Sequence, residues 1–98
     1  MSWHEIVLKP SAIRDLDRLR RFDAAAVANG IEEFVTQEPK KESKSRIKRL
    51  RGVQMADYRL RVGDYRVFYS VDATRCRVDV LRVLHKGQTA DFYEEEQS

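Results

Sequence analysis

The sequence predicts an α+β domain: an N-terminal strand, a helical hairpin, then an antiparallel meander of three or four strands with a short C-terminal helix. Three observations predict it. Apolar residues recur every three or four positions only between the two prolines, Pro10 and Pro39. Alternation of period two fills the second half. The breaks in that half, Gly52, Gly63-Asp64 and Asp72-Ala73-Thr74, are too short for a crossover, so successive strands must turn back on one another. Ninety-eight residues, 42% of them hydrophobic, suit a single domain over residues 1–98 with one core.

The first strand lies within residues 3–9, centred on Glu5-Ile6-Val7-Leu8 and closed by Pro10. Ser11 is placed to cap a helix whose Ile13, Leu16 and Leu19 form the buried stripe, with Arg14, Asp15, Arg18 and Arg21 outside. Asp23 is placed to cap a second helix whose Val27, Ile31, Phe34 and Val35 follow core-face spacing, ended by Pro39. Gly30 inside it costs about 1 kcal/mol relative to alanine. Strands are then expected at residues 47–51, 58–62, 65–71 and 77–84, and one or two helical turns at residues 89–96 before an acidic tail.

Charge is distributed unevenly. Residues 40–66 hold ten Lys/Arg against Glu42, Asp57 and Asp64, a balance of +7, which leaves −4 for the rest of a chain whose net charge is +3. On the strand at residues 58–62, Tyr58, Leu60 and Val62 face a core while Arg59 and Arg61 stand together on the other side. Arg66 follows on the next strand, across the Gly63-Asp64 turn. Guanidinium groups grip phosphate through two hydrogen bonds and stay charged at physiological pH, so this hairpin reads as a polyanion site. The basic approach to it, Lys44, Arg46, Lys48, Arg49 and Arg51, suits contacts to a large RNA.

Other classes are disfavoured. No apolar run approaches the roughly 18 residues of a membrane span, and the N-terminus lacks signal-peptide character, which points to the cytoplasm. The single cysteine excludes an internal disulfide, and Cys76 shares strand parity with Val78 and Val80, as a small core residue would. Neither CxxC nor HExxH occurs, so no metal or cofactor is expected. His4, far from the basic hairpin, reads as structural.

The segments Leu50-Arg51-Gly52, then DYRLRVGDYRVFY from Asp57 to Tyr69, then VLRVLHK from Val80 to Lys86, and Tyr93, resemble the RelE branch of the RelE/ParE toxin superfamily. The resemblance implies the toxin of a type II toxin–antitoxin pair: a metal-independent ribonuclease that enters the ribosomal A site and cuts messenger RNA. Its implied partners are a cognate antitoxin, within a higher-order toxin–antitoxin complex, and the ribosome with its rRNA and mRNA. In the implied chemistry the 2′-hydroxyl attacks the adjacent phosphate, leaving a 2′,3′-cyclic phosphate and a 5′-hydroxyl. Arg59 and Arg61 match the family's basic positions on the first hairpin strand, Arg66 its phosphate-binding arginine and Tyr93 its C-terminal tyrosine.

The chain departs from the family in two places. Both first-strand positions are arginines, which hold their protons too tightly to act as a base. No arginine precedes Tyr93 in the segment HKGQTADFY. His85, histidine being the residue type suited to proton transfer at neutral pH, is therefore the candidate proton carrier, on the expectation that it stands among Arg61, Arg66 and Lys86. Lys86 is the candidate replacement for the missing arginine. Two alternatives share the fold: a ParE-like inhibitor of DNA gyrase, and an inactive relative kept as an antitoxin-binding subunit.

Overall fold

The computed structural model describes residues 3–52 and 56–90. Five strands form one sheet in the order β1-β5-β4-β3-β2: β1 (Glu5–Leu8), β2 (Ile47–Arg49), β3 (Tyr58–Val62), β4 (Tyr65–Asp72) and β5 (Arg77–His85). The last four make the expected antiparallel meander, while β1 runs parallel to β5 and pairs Glu5 with Arg77 through Leu8 with Val80. Helices α1 (Pro10–Asp17) and α2 (Arg21–Phe34) connect β1 to β2 and pack on one sheet face. There Ala12, Val27, Ile31 and Val35 meet Ile47, Tyr58, Leu60, Val67, Tyr69, Val78, Val80 and Val83. The α+β expectation is met.

The helix boundaries differ from the sequence reading. Proline lacks an amide hydrogen, so it suits the first helical position, and α1 starts at Pro10 with Lys9 rather than Ser11 in the capping position. Helix α2 starts at Arg21 instead of being capped by Asp23, whose carboxylate accepts from the Tyr65 hydroxyl at 3.2 Å. It ends at Phe34, five residues before Pro39, whose carbonyl accepts from the buried Tyr69 hydroxyl at 2.6 Å. Burial pushes the Tyr69 phenol far above its ordinary range, so it serves as a neutral donor. The β4–β5 turn places Cys76 outside the strand, exposed and at φ 49°, not in the core.

The face of α1 is rotated as well. Ile13 is 45% exposed, and Ala12 and Asp15 are the buried positions beside half-buried Leu16. The reason lies where β1 stops. Beyond Val80, strand β5 has no neighbour on that side, and the Asp15 carboxylate accepts from the Val83 amide at 2.8 Å in place of a strand. The same carboxylate takes both Nε and Nη2 of Arg82, at 2.8 and 3.2 Å.

Gly30 has a packing role. A Cβ there would lie 2.6 Å from Val62 Cγ2, so the absent side chain lets α2 approach β3 closely. Gly30→Ala should therefore destabilise the fold by about 1–3 kcal/mol, despite the helix preference of alanine, with partial recovery in a chain that also carries Val62→Ala. Urea unfolding of the four-member cycle measures this. Asp15→Ala removes the acceptor of a buried amide and of a guanidinium, and should cost about 2–4 kcal/mol by the same measurement.

A basic sheet face as candidate nucleic-acid interface

Residues directly opposite on antiparallel strands share a face. Lys48 of β2 stands opposite Arg59 of β3, and Arg61 of β3 stands opposite Arg66 of β4, all on the side away from the helices. Like charges directly opposite destabilise a strand pair, and here two such pairs adjoin. Among the described residues no carboxylate lies within ion-pair distance of Lys48, Arg59 or Arg61. The Arg59 Nε is buried and lacks a hydrogen-bond partner among those residues. Arg66 is anchored locally, Nη1 donating to the carbonyls of Gly63 and Tyr65 at 3.0 Å each. Gly63, at φ 55°, makes the tight turn that lays the two arginine strands side by side.

An apolar floor lies beneath the cations. Ala56, Phe68 and Leu84 are buried there, with Leu50 and Leu81 packed against them. Strand β5 contributes to the floor because it contains a bulge: Phe68 pairs with Arg82 and Tyr69 with Val80, leaving Leu81 without a partner. The extra residue reverses the side-chain parity of the rest of β5. Val83 joins the helix-side core and Leu84 the opposite face. Adjacent apolar pairs in the sequence, Val80-Leu81 and Val83-Leu84, are the signal that could have revealed it.

The bulge also decides where His85 goes. With unbroken alternation from Val78, His85 would share the arginine face, but it pairs with Tyr65 and meets that ring edge-on, centroids 5.6 Å apart. The structure does not bring it among the arginines. Its Nδ1 accepts from the Gly87 amide at 3.1 Å, opening a short 3₁₀ turn (Lys86–Gln88) in which the Gln88 side chain accepts from the His85 amide. With Nδ1 an acceptor, the neutral ring carries its proton on Nε2. Burial first and the Asp23 hydrogen bond second raise the pKa of Tyr65.

The remaining basic candidates divide. Lys86 is paired with Asp64 at 3.4 Å across the hairpin tip, where its amide also donates to the Asp64 carbonyl. Arg46 lies over the Phe34 ring, 4.9 Å from its centroid, on the helix side. Arg49 pairs with Tyr58 and so shares the helix side, while its amide donates to Glu42 at 2.9 Å. Lys44 and Arg51 are exposed on either side of β2. Tyr93 lies outside the described residues. His4 donates from Nδ1 to the Thr36 carbonyl at 3.0 Å, a structural bond. Among the described residues no three His, Cys, Asp or Glu side chains gather into a metal-binding group.

The model of the ParE toxin of type II toxin–antitoxin systems, parDE, matches residues 6–90, from β1 through the 3₁₀ turn. The chain belongs to this family. The toxin is thus a member of the RelE/ParE superfamily, and solved structures agree. A chain of the RelBE2 toxin–antitoxin complex from Mycobacterium tuberculosis is 29% identical, with a TM-score of 0.72 over 85% of this chain and 98% of that one. A chain of the archaeal RelE–RelB complex from Pyrococcus horikoshii is 25% identical, with a TM-score of 0.70 over 90% of this chain and 99% of that one. Free E. coli toxin RelE, carrying two arginine-to-alanine changes, shares the fold at 23% identity and a TM-score of 0.70, over 98% of this chain and 95% of that one. No curated protein matches the toxin.

If the paired cations oppose one another, Arg61→Glu should raise stability by roughly 0.2–1 kcal/mol by placing a carboxylate opposite Arg66. The same change should weaken RNA binding and reduce its salt dependence. Thermal unfolding and filter binding at several salt concentrations test both signs.

Proposed function

We propose that this toxin is a ribosome-dependent endoribonuclease that cuts messenger RNA in the ribosomal A site and so stops translation. The observation that carries the reading is the sheet face on which Lys48, Arg59, Arg61 and Arg66 stand in register. Two adjacent pairs of like charges cost stability in the free protein, and a phosphate chain laid across them offsets that cost. In this reading Arg59, Arg61 and Arg66 bind the scissile phosphate and stabilise the charge of the phosphorane formed when the 2′-hydroxyl attacks it. Tyr93 is proposed as a base-stacking group, His85 is left to the Tyr65 corner, and no step calls for a metal. Lys44, Arg46, Arg49, Arg51 and Lys86 add contacts to ribosomal RNA.

The proposed protein partner is a RelB-type antitoxin, supported by the solved complexes of the same fold, in a higher-order toxin–antitoxin assembly in the cytoplasm. A second reading, inhibition of DNA gyrase, is favoured by the ParE description of the matching family. It makes no use of a phosphoryl-transfer site.

Primer extension on messenger bound to programmed ribosomes tests the choice. Cleavage should require ribosomes and persist in excess chelator, and Arg66→Ala should slow the single-turnover step by on the order of a hundredfold. Intact messenger alongside inhibited gyrase would establish the second reading instead.

A further inference from the structure

We infer that Lys48 is the group that takes the proton from the attacking 2′-hydroxyl, an assignment that rests on the ribonuclease reading above. In-line attack by a 2′-hydroxyl needs a proton acceptor beside the phosphate. The strand cations on this face are Lys48, Arg59, Arg61, Arg66 and Arg82, the last tied to Asp15, and a guanidinium does not release its proton in a protein. An amine can. The ring of His85 is turned to Tyr65, with Nδ1 occupied by the Gly87 amide.

Lys48 enters this site from the neighbouring strand. It stands directly opposite Arg59, with Cβ atoms about 5 Å apart, and diagonal to Arg61 and Asp57. The Asp57 carboxylate accepts from the Val71 amide at 3.2 Å, on the β4 side. Glu42 caps the outer edge of β2 through the Arg49 amide. Lys48 itself is exposed, with no ion pair among the described residues, so its amine is available to a substrate held by Arg59 and Arg61.

In the step, the Lys48 amine, once unprotonated, accepts the 2′-hydroxyl proton as O2′ bonds to phosphorus. The P–O5′ bond breaks with its electron pair going to oxygen, and the leaving 5′-oxygen takes a proton from water. The resulting hydroxide is neutralised by the proton on Lys48, which returns the amine to its starting form. The products are the 2′,3′-cyclic phosphate and the 5′-hydroxyl.

The deciding variant is Lys48→Arg, which keeps the charge and removes the exchangeable amine. On saturating programmed ribosomes, Lys48→Arg and Lys48→Ala should both slow single-turnover cleavage by on the order of a hundredfold or more, while Lys48→Arg keeps wild-type ribosome affinity. Methylamine added to Lys48→Ala should restore part of the rate. Cleavage by Lys48→Arg at the wild-type rate reduces Lys48 to a phosphate contact and overturns the assignment, as does a slow Lys48→Ala that methylamine leaves unchanged. Failure of the wild-type toxin to cleave at all overturns the ribonuclease reading itself, and is distinct from both.

Discussion

The carboxylate of Asp15 holds the fold together where its sheet is weakest. Strand β1 covers only the first part of β5, and past Val80 the edge would present bare backbone to α1. A buried amide without an acceptor is costly, and Asp15 supplies one while its second oxygen helps fix the Arg82 guanidinium. The contact joins residues 67 and 68 positions apart and lies in the bulged part of β5. It ties the first helix to the strand that carries part of the floor of the basic face, so the geometry of that face depends on an interaction at the edge of the sheet.

The bulge next to it reorganises the second half of β5. An unbroken strand would have given one apolar face and one polar face. With Leu81 inserted, β5 contributes Val78, Val80 and Val83 to the helix-side core and Leu84 to the second cluster. Local twist at a bulge re-aims the side chains that follow, and His85 is the one most affected. Its ring belongs to the corner formed by Tyr65 and the start of α2, where the Tyr65 hydroxyl reaches Asp23.

Much of this was legible in the sequence, for reasons that can be assigned. The β3–β4 hairpin carries its own turn signal in Gly63-Asp64 and a strict alternation, so the shared face of Arg59 and Arg61 followed from parity alone. Register did the rest: Arg66 falls opposite Arg61 because the turn is two residues long. What escaped reading depended on distant partners. Asp15 looks like a surface residue until the end of β1 creates a vacancy on β5, and Ile13 looks like core until that contact sets the rotation of α1. The run from Lys40 to Arg51 looked like one basic surface. The structure separates it, Lys48 facing the arginines while Arg46 turns to Phe34 and Arg49 to the helix side. A charge count thus overstates the number of cations a single phosphate chain can meet.

The close approach at Gly30 sets the spacing of the whole molecule. A helix resting on a sheet through long side chains can rock, because rotamers absorb small displacements. At Gly30 there is no side chain to absorb them, and the Val62 methyl groups lie against the helix backbone. The α2–β3 contact therefore fixes the helix-to-strand distance at this point with little room for adjustment. Amide exchange should report the difference: slow near this contact through global unfolding, and faster toward the ends of β1 and β2, where strands are short and edges open.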